Sequence, residues 1–137
     1  MELISLILAA IPPLALIVVV WWLDRYEREP PRAVAMVMGW GALGAIFFSS
    51  ALEALPAAFA SAVFEPRGGE AFTAVLIAPP VEEAMKGLAL VWLFWRRRYL
   101  DNTTDGFVYG AAAGLGFALT ENFSYYVMVA PQGPEVY

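Results

Sequence analysis

The chain has 137 residues, the length of one ordinary domain, and is 61% apolar and 15% charged, where soluble domains run at about 45–50% and about 25%. Its net charge is −5 and its few basic residues sit in short clusters, so it offers no basic face to a nucleic acid. It contains no cysteine and no histidine, which excludes disulfides, a thiol nucleophile, a Ser-His-Asp triad and imidazole metal ligands within these residues. What remains is an all-α, polytopic bundle of about four membrane-spanning helices embedded in a lipid bilayer.

The first predicted helix covers about residues 3–23. Leu3 to Leu23 carries no charge over 21 residues, about what a ~30 Å hydrocarbon layer requires. Glu2, not a basic segment, precedes it and Trp21-Trp22-Leu23 closes it, so a retained span is expected rather than a cleaved leader. Pro12-Pro13 predicts a kink, because prolines remove backbone donors. The charged loop DRYEREPPR, Asp24 to Arg32, follows, with Pro30-Pro31 suited to a helix start. A second helix is predicted over about residues 33–55, extending toward Phe64 beyond Pro56. Gly39, Gly41, Gly44, Ser49 and Ser50 give it a small-residue face for close helix packing.

Glu65 to Glu70 reads as a turn and residues 71–95 as a third helix, interrupted by Pro79-Pro80 and stopped by Arg96-Arg97-Arg98. The proline pair fits an ordinary kink or the start of a half-helix facing a polar site. The polar loop Tyr99 to Asp105 offers a helix cap, and a fourth helix is predicted over about residues 106–130. Gly106, Gly110 and Gly114 form a four-residue ridge that favours tight packing. The loops after the first and third helices hold six arginines, and the loop between them holds only Arg67. The positive-inside rule then places both basic loops in the cytoplasm and both termini outside.

Ionisable groups inside apolar spans carry the functional signal, since an acid at the bilayer centre costs about 3 kcal/mol even on insertion scales. Glu82 and Glu83 lie near the middle of the third helix, and Lys86, four and three residues on, can reach either carboxylate. The bland reading is a self-neutralising pair that helps the helix insert. Glu121 is the expected partner on the fourth helix: Glu82 is 11 residues from Ala71 and Glu121 is 9 from Ala130, a depth difference of only about 3 Å at ~1.5 Å per residue. Asn122 adds an amide donor and acceptor beside it, while Phe117 one turn earlier is expected to pack. Converging carboxylates in a low dielectric cannot all ionise, opposed by Lys86, which yields an acid or base that works near neutral pH. Such a group suits activation of water and suits proton relay in a transporter or channel almost as well. Glu53, near the outer end of the second helix, has two readings, a side chain that snorkels or meets water and a functional intramembrane acid.

The residues Glu82-Glu83-Ala84-Met85-Lys86 form EExxK, and Phe117 to Asn122 forms FxxxEN. Together with DGFVYGAAAGLGFALTEN from Asp105 and DRYEREP from Asp24, they resemble the PrsW family of intramembrane proteases, related to the membrane-embedded CAAX-processing and bacteriocin-processing proteases. The resemblance spans about residues 14–126. It implies an endopeptidase (a hydrolase) of the bacterial cytoplasmic membrane that cuts a single-pass membrane protein, as in site-1 cleavage of an anti-sigma factor during stress signalling. It implies Glu82, Glu83, Lys86, Glu121 and Asn122 as catalytic residues. A divalent metal such as zinc is the implied cofactor, with Glu82, Glu83 and Glu121 as ligands, although carboxylates alone suit harder cations better. Family members carry further helices and a histidine after FxxxEN. The expectation is therefore that residues 1–137 form one membrane-embedded domain that is the N-terminal part of a larger protease domain, rather than a shortened, inactive paralogue. A proton-coupled transporter subunit and a non-catalytic membrane interaction protein are the alternatives; no repeat between the two halves supports transport.

Overall fold

A computed structural model describes residues 2–26, 28–96 and 99–129. Arg97 and Arg98 of the basic stop, Glu27 of the first loop and Ala130 at the predicted end of the fourth helix lie outside the described residues. Four continuous helical rods form an all-α bundle. Helix α1 is Glu2–Leu23 and contains Pro12 and Pro13 without a break in helical assignment. Helix α2 is Pro31–Val63, made of α-helix Pro31–Gly39, a widened π turn at Trp40–Ala45, and α-helix Ile46–Val63. Helix α3, residues 66–96, has the same construction: α-helix Pro66–Phe72, π turn Thr73–Ile77, and α-helix Ala78–Arg96. Helix α4 is Thr103–Val129.

Several boundaries differ from the sequence reading. Helix α2 takes the extension past Pro56, ending at Val63, but the turn before α3 is confined to Phe64 and Glu65 and α3 starts at Pro66, not Ala71. Both α2 and α3 open on a proline, Pro31 and Pro66, whose fixed φ suits the first helical position. The Pro30 carbonyl accepts the first bonds of α2 from the N–H groups of Ala33 and Val34, at 2.8 and 3.2 Å. The π turn in α3 comes directly before Pro79-Pro80. Those residues cannot donate to the carbonyls of Val75 and Leu76, and a widened turn accommodates the lost bonds.

Helix α4 is the hub: α1 and α2 both pack along it, α3 packs on α2 and on α4. The buried core is built from small and compact residues, Ala33, Val37, Ala89, Leu93, Tyr109, Ala112 and Ala113. The outward faces are apolar, with Leu43, Leu55, Phe59, Val75 and Trp95 well exposed, the distribution expected where lipid rather than water meets the surface. Among the described residues, helix α2 is the one long and apolar enough by composition to cross a membrane, at 33 residues with mean hydropathy 1.6, and Ile7–Leu23 is a shorter apolar helix. Arginines cap the aromatic belt: Arg25 lies 4.5 Å from the Trp22 ring, Arg28 4.4 Å from Trp21 and Arg96 5.2 Å from Trp92.

The expected packing ridge of α4 is corrected by the structure. A Cβ at Gly106 or Gly114 would meet nothing within 4 Å, and at Gly110 only Leu90, at 3.9 Å. The close contact falls instead on Gly41 of α2 and Gly116 of α4. A Cβ on Gly41 would sit 2.0 Å from the Ala113 carbonyl oxygen, and one on Gly116 2.0 Å from that of Met38. Two helix backbones therefore touch directly, as only glycine permits.

A buried polar cluster fastens the end of the bundle that carries the two basic loops. The Glu29 N–H donates to Asp24 Oδ2 at 2.8 Å, and the buried Tyr109 hydroxyl donates to Glu29 Oε2 at 2.5 Å. Asn102 and Asp105 form a reciprocal cap: Asp105 N–H donates to Asn102 Oδ1 and Asn102 N–H to Asp105 Oδ2, both at 3.0 Å. The motifs DRYEREP and DGFVYG thus meet through Glu29 and Tyr109, 80 residues apart. Burial pushes the Glu29 carboxyl above the ordinary value of 4.5, Tyr109 pulls it down, and Asp105 and Asp24 push it up again. A raised native value means the folded state holds this proton more tightly than the unfolded state. Stability from this group is complete below 4.5 and is lost as pH rises through the raised native value. Thermal denaturation across pH should show this fall in the wild type, and Glu29→Gln should flatten it; an unchanged slope would remove Glu29 as its source.

Candidate functional site

The α-helix resumes at Ala78 after the π turn, and its next turns present Glu82, Glu83 and Lys86. Lys86 Nζ lies 2.8 Å from Glu83 Oε1 and 3.5 Å from Glu82 Oε2, as the three- and four-residue spacings allow. The two carboxylates differ in setting: the Glu82 side chain is 25% exposed and that of Glu83 is 74% exposed. Lys86 is more buried than either, and its ammonium lies 3.9 Å from the centre of the Phe117 ring on α4. Phe117 is itself buried. It packs, as expected, and it also holds the lysine by a cation–π contact.

Two hydrogen bonds, which the motif reading did not anticipate, fix the surrounding helices. The Trp40 indole N–H donates to the Met85 carbonyl at 2.8 Å, pinning the π turn of α2 beside EExxK. The Trp40 ring lies over Gly44, where a Cβ would come within 2.5 Å of it, and stacks on Phe48 at 5.8 Å. The Thr120 hydroxyl donates to the Ala42 carbonyl at 2.7 Å, tying α4 to the same π turn one residue before Glu121. The signal in the sequence was chemical: an indole N–H and a hydroxyl inside apolar helices must find acceptors.

Glu121 is exposed and Asn122 half-buried on α4, one turn beyond Phe117. Neither makes a hydrogen bond or ion pair with the described residues. The structure therefore groups Glu82, Glu83, Lys86 and Phe117 directly and places Glu121 and Asn122 next to that group along α4. Glu53 of α2 is half-buried, and its Oε1 is fully buried without a hydrogen-bond partner. A cleft of about 350 Å³ between α2 and α3, lined by Met36, Val37, Trp40, Leu88, Ala89 and Trp92, holds none of these acids.

The donor set can be tested against a divalent metal. A catalytic zinc takes three protein ligands, and among the described residues no group of three or more acidic side chains is close enough to hold an ion. Lys86 already lies against both Glu82 and Glu83. The described residues do not form a metal site by themselves.

Comparison with known proteins bears on this arrangement. The profile of a family described as "PrsW family intramembrane metalloprotease" matches residues 29–136. The chain is 32% identical over 119 residues to a protein of Bacillus subtilis (strain 168) named "Protease PrsW", covering 85% of this chain and 50% of that protein. Proteins of the same name from Geobacillus kaustophilus (strain HTA426) and Clostridioides difficile (strain 630) are 31% and 30% identical, over 88% and 91% of this chain and 52% and 51% of their own lengths. The chain thus spans about half the length of the curated relatives it matches. No solved structure matches it.

Proposed function

The chain belongs to the PrsW family of intramembrane proteases, and from that premise we propose that it supplies the water-activating half of an endopeptidase that cuts membrane-anchored proteins. The observation that carries this is the pairing of Glu82 and Glu83 with Lys86, whose ammonium is held against the buried Phe117 ring of an apolar bundle. Glu82 is the more shielded carboxylate and has the longer contact to Lys86, so it is the general base. Glu83, ion-paired at 2.8 Å, steers the ammonium. Glu82 takes a proton from water as the oxygen attacks the peptide carbonyl carbon. The Lys86 ammonium and the Asn122 amide donate to the oxyanion of the tetrahedral intermediate. The proton on Glu82 then passes to the leaving nitrogen as the C–N bond breaks, giving a carboxylic acid, which ionises on release, and an amine, with Glu82 restored as a carboxylate. Glu121, exposed beside Asn122 one turn beyond Phe117, adds a further carboxylate on the same stretch of α4.

The substrate class is a single-pass membrane protein, with an anti-sigma factor as the candidate by resemblance. The membrane is the bacterial cytoplasmic membrane, with the two basic loops inside and both termini outside; their placement at one end of the bundle, linked by Glu29 and Tyr109, supports that topology. A divalent metal, zinc included, would need ligands beyond the described residues. The test is reconstitution of the full-length protein with a single-pass substrate and mass-spectrometric mapping of the products. Two fragments with new ends within or next to the membrane segment are expected, and a substrate left intact would reject the reading.

A further inference from the structure

The cleft between α2 and α3 lies apart from the acidic residues. Its floor is Val37 and Ala89, both part of the buried core, and its walls are Met36 and Trp40 of α2 and Leu88 and Trp92 of α3. Met36, Leu88 and Trp92 are also exposed on the outward surface, so this space of about 350 Å³ opens toward lipid. At its deep end the Trp40 indole N–H is already given to the Met85 carbonyl, and an apolar space without a free polar partner holds hydrocarbon rather than water. The other indole, Trp92, stands nearest the basic end, where an interfacial tryptophan belongs.

The mouth of the cleft is cationic. Arg32 is one turn before Met36 on α2, and Arg96 is one turn after Trp92 on α3, its guanidinium 5.2 Å from the Trp92 ring. Ala33 and Leu93 meet in the core, which sets the first turn of α2 level with the last turn of α3 and brings both arginines to one end. Both are exposed, and neither makes an ion pair or hydrogen bond with the described residues. The acids nearest in sequence to Arg32, Asp24 and Glu29, are buried and accept hydrogen bonds from the Glu29 N–H and the Tyr109 hydroxyl. The lining residues follow four to eight positions from the arginines along either helix, a depth of about 6–12 Å at ~1.5 Å per residue. That is where an acyl chain lies below its phosphate.

Basic pockets between membrane helices hold anionic head groups. We propose that this cleft binds one anionic phospholipid of the leaflet that meets the basic loops, with an acyl chain against Trp40 and the phosphate between Arg32 and Arg96. A protein helix suits the mouth less well, because membrane helices carry their own Lys and Arg at that end, and like charges would face each other. The site stands apart from EExxK and does not rest on the protease reading.

The test is native mass spectrometry of the full-length protein in detergent, titrated with phosphatidylglycerol and with phosphatidylcholine of the same acyl chains. One phosphatidylglycerol per chain is expected to bind about tenfold or more tighter than phosphatidylcholine. Arg32→Gln with Arg96→Gln should bring the two lipids to within about threefold of each other. Arg25→Gln with Arg28→Gln removes the same charge from arginines that lie over Trp22 and Trp21 of α1, and should leave phosphatidylglycerol binding within about threefold of wild type. Leu88→Trp fills the cleft while keeping Arg32 and Arg96, and should weaken phosphatidylglycerol about tenfold; Met36→Trp repeats the block from the other wall. Equal affinity of wild type for the two lipids overturns the proposal. So does an equal loss in both arginine pairs, which would make the effect one of general surface charge, and so does full binding by the folded tryptophan variants. Displacement of phosphatidylglycerol, one for one, by a single-pass substrate or by a second copy of the chain would give the cleft to a protein helix and overturn it as well.

Discussion

Glu82→Gln is expected to lower cleavage by the full-length protein about 10²–10⁴-fold, the range for losing a positioned general base, and Glu83→Gln to lower it by less. Glutamine keeps the shape of the side chain but cannot take a proton from water. The inequality follows from the two settings. Glu82 is the shielded carboxylate at 3.5 Å from Lys86, and Glu83 is the exposed one that holds the ammonium at 2.8 Å. Losing Glu83 leaves Lys86 with the Phe117 ring and Glu82 as partners, so the charge that receives the oxyanion stays near its place. Rates measured in proteoliposomes at saturating substrate, alongside melting curves for each variant, check this. A Glu82→Gln protein that folds and cuts at the wild-type rate would take the base role away from Glu82.

Gly116→Leu should be among the most destabilising single substitutions in the bundle. Its Cβ would lie 2.0 Å from the Met38 oxygen and 3.1 Å from the Ala42 nitrogen, and a Cβ at Gly41 would lie 2.0 Å from the Ala113 oxygen and 3.0 Å from the Phe117 nitrogen. These neighbours are backbone, which cannot swing aside, so α2 and α4 must part. Overpacking costs about 1–3 kcal/mol and occasionally more, and this site belongs at the upper end. Gly41→Leu opens the same contact, so the two changes should not add. Parting the helices also pulls Thr120 from Ala42 and Phe117 from Lys86, and cleavage should fall with stability. Gly114→Ala is the control: nothing lies within 4 Å of its Cβ, and alanine in a helix interior gains about 0.5–1 kcal/mol over glycine. Thermal denaturation in detergent separates them, and a Gly114→Ala protein as unstable as Gly116→Leu would contradict the packing.

The contrast between these glycines shows where the sequence is readable. Apolar run length announced four helices, because a bilayer demands long uncharged segments. The ion pairs of Lys86 with Glu82 and Glu83 follow from spacing alone, since neighbours on one helix face need no knowledge of the fold. The ridge of Gly106, Gly110 and Gly114 has the usual packing spacing, yet the backbones touch at Gly41 and Gly116. Spacing along one helix does not say which face its neighbour takes. The same rotation governs how Glu121 stands relative to Glu82, and spacing gives only their depth. The boundary at Pro66 was obscured because EPRGGE reads as a turn, while a proline at the first position makes it a helix start. Trp40, Thr120, Glu29 and Tyr109 join residues 45 to 80 positions apart, and no local pattern encodes such pairs.

The most direct test of the account is cleavage of a single-pass substrate in H₂¹⁸O by the full-length protein and by its Glu82→Ala, Glu83→Ala double variant, both checked for folding. The account predicts that the wild type cuts and leaves ¹⁸O at the new C-terminus, and that the folded double variant leaves the substrate whole. Cleavage by the double variant at the wild-type rate would contradict it, because water would then be activated by residues other than this pair.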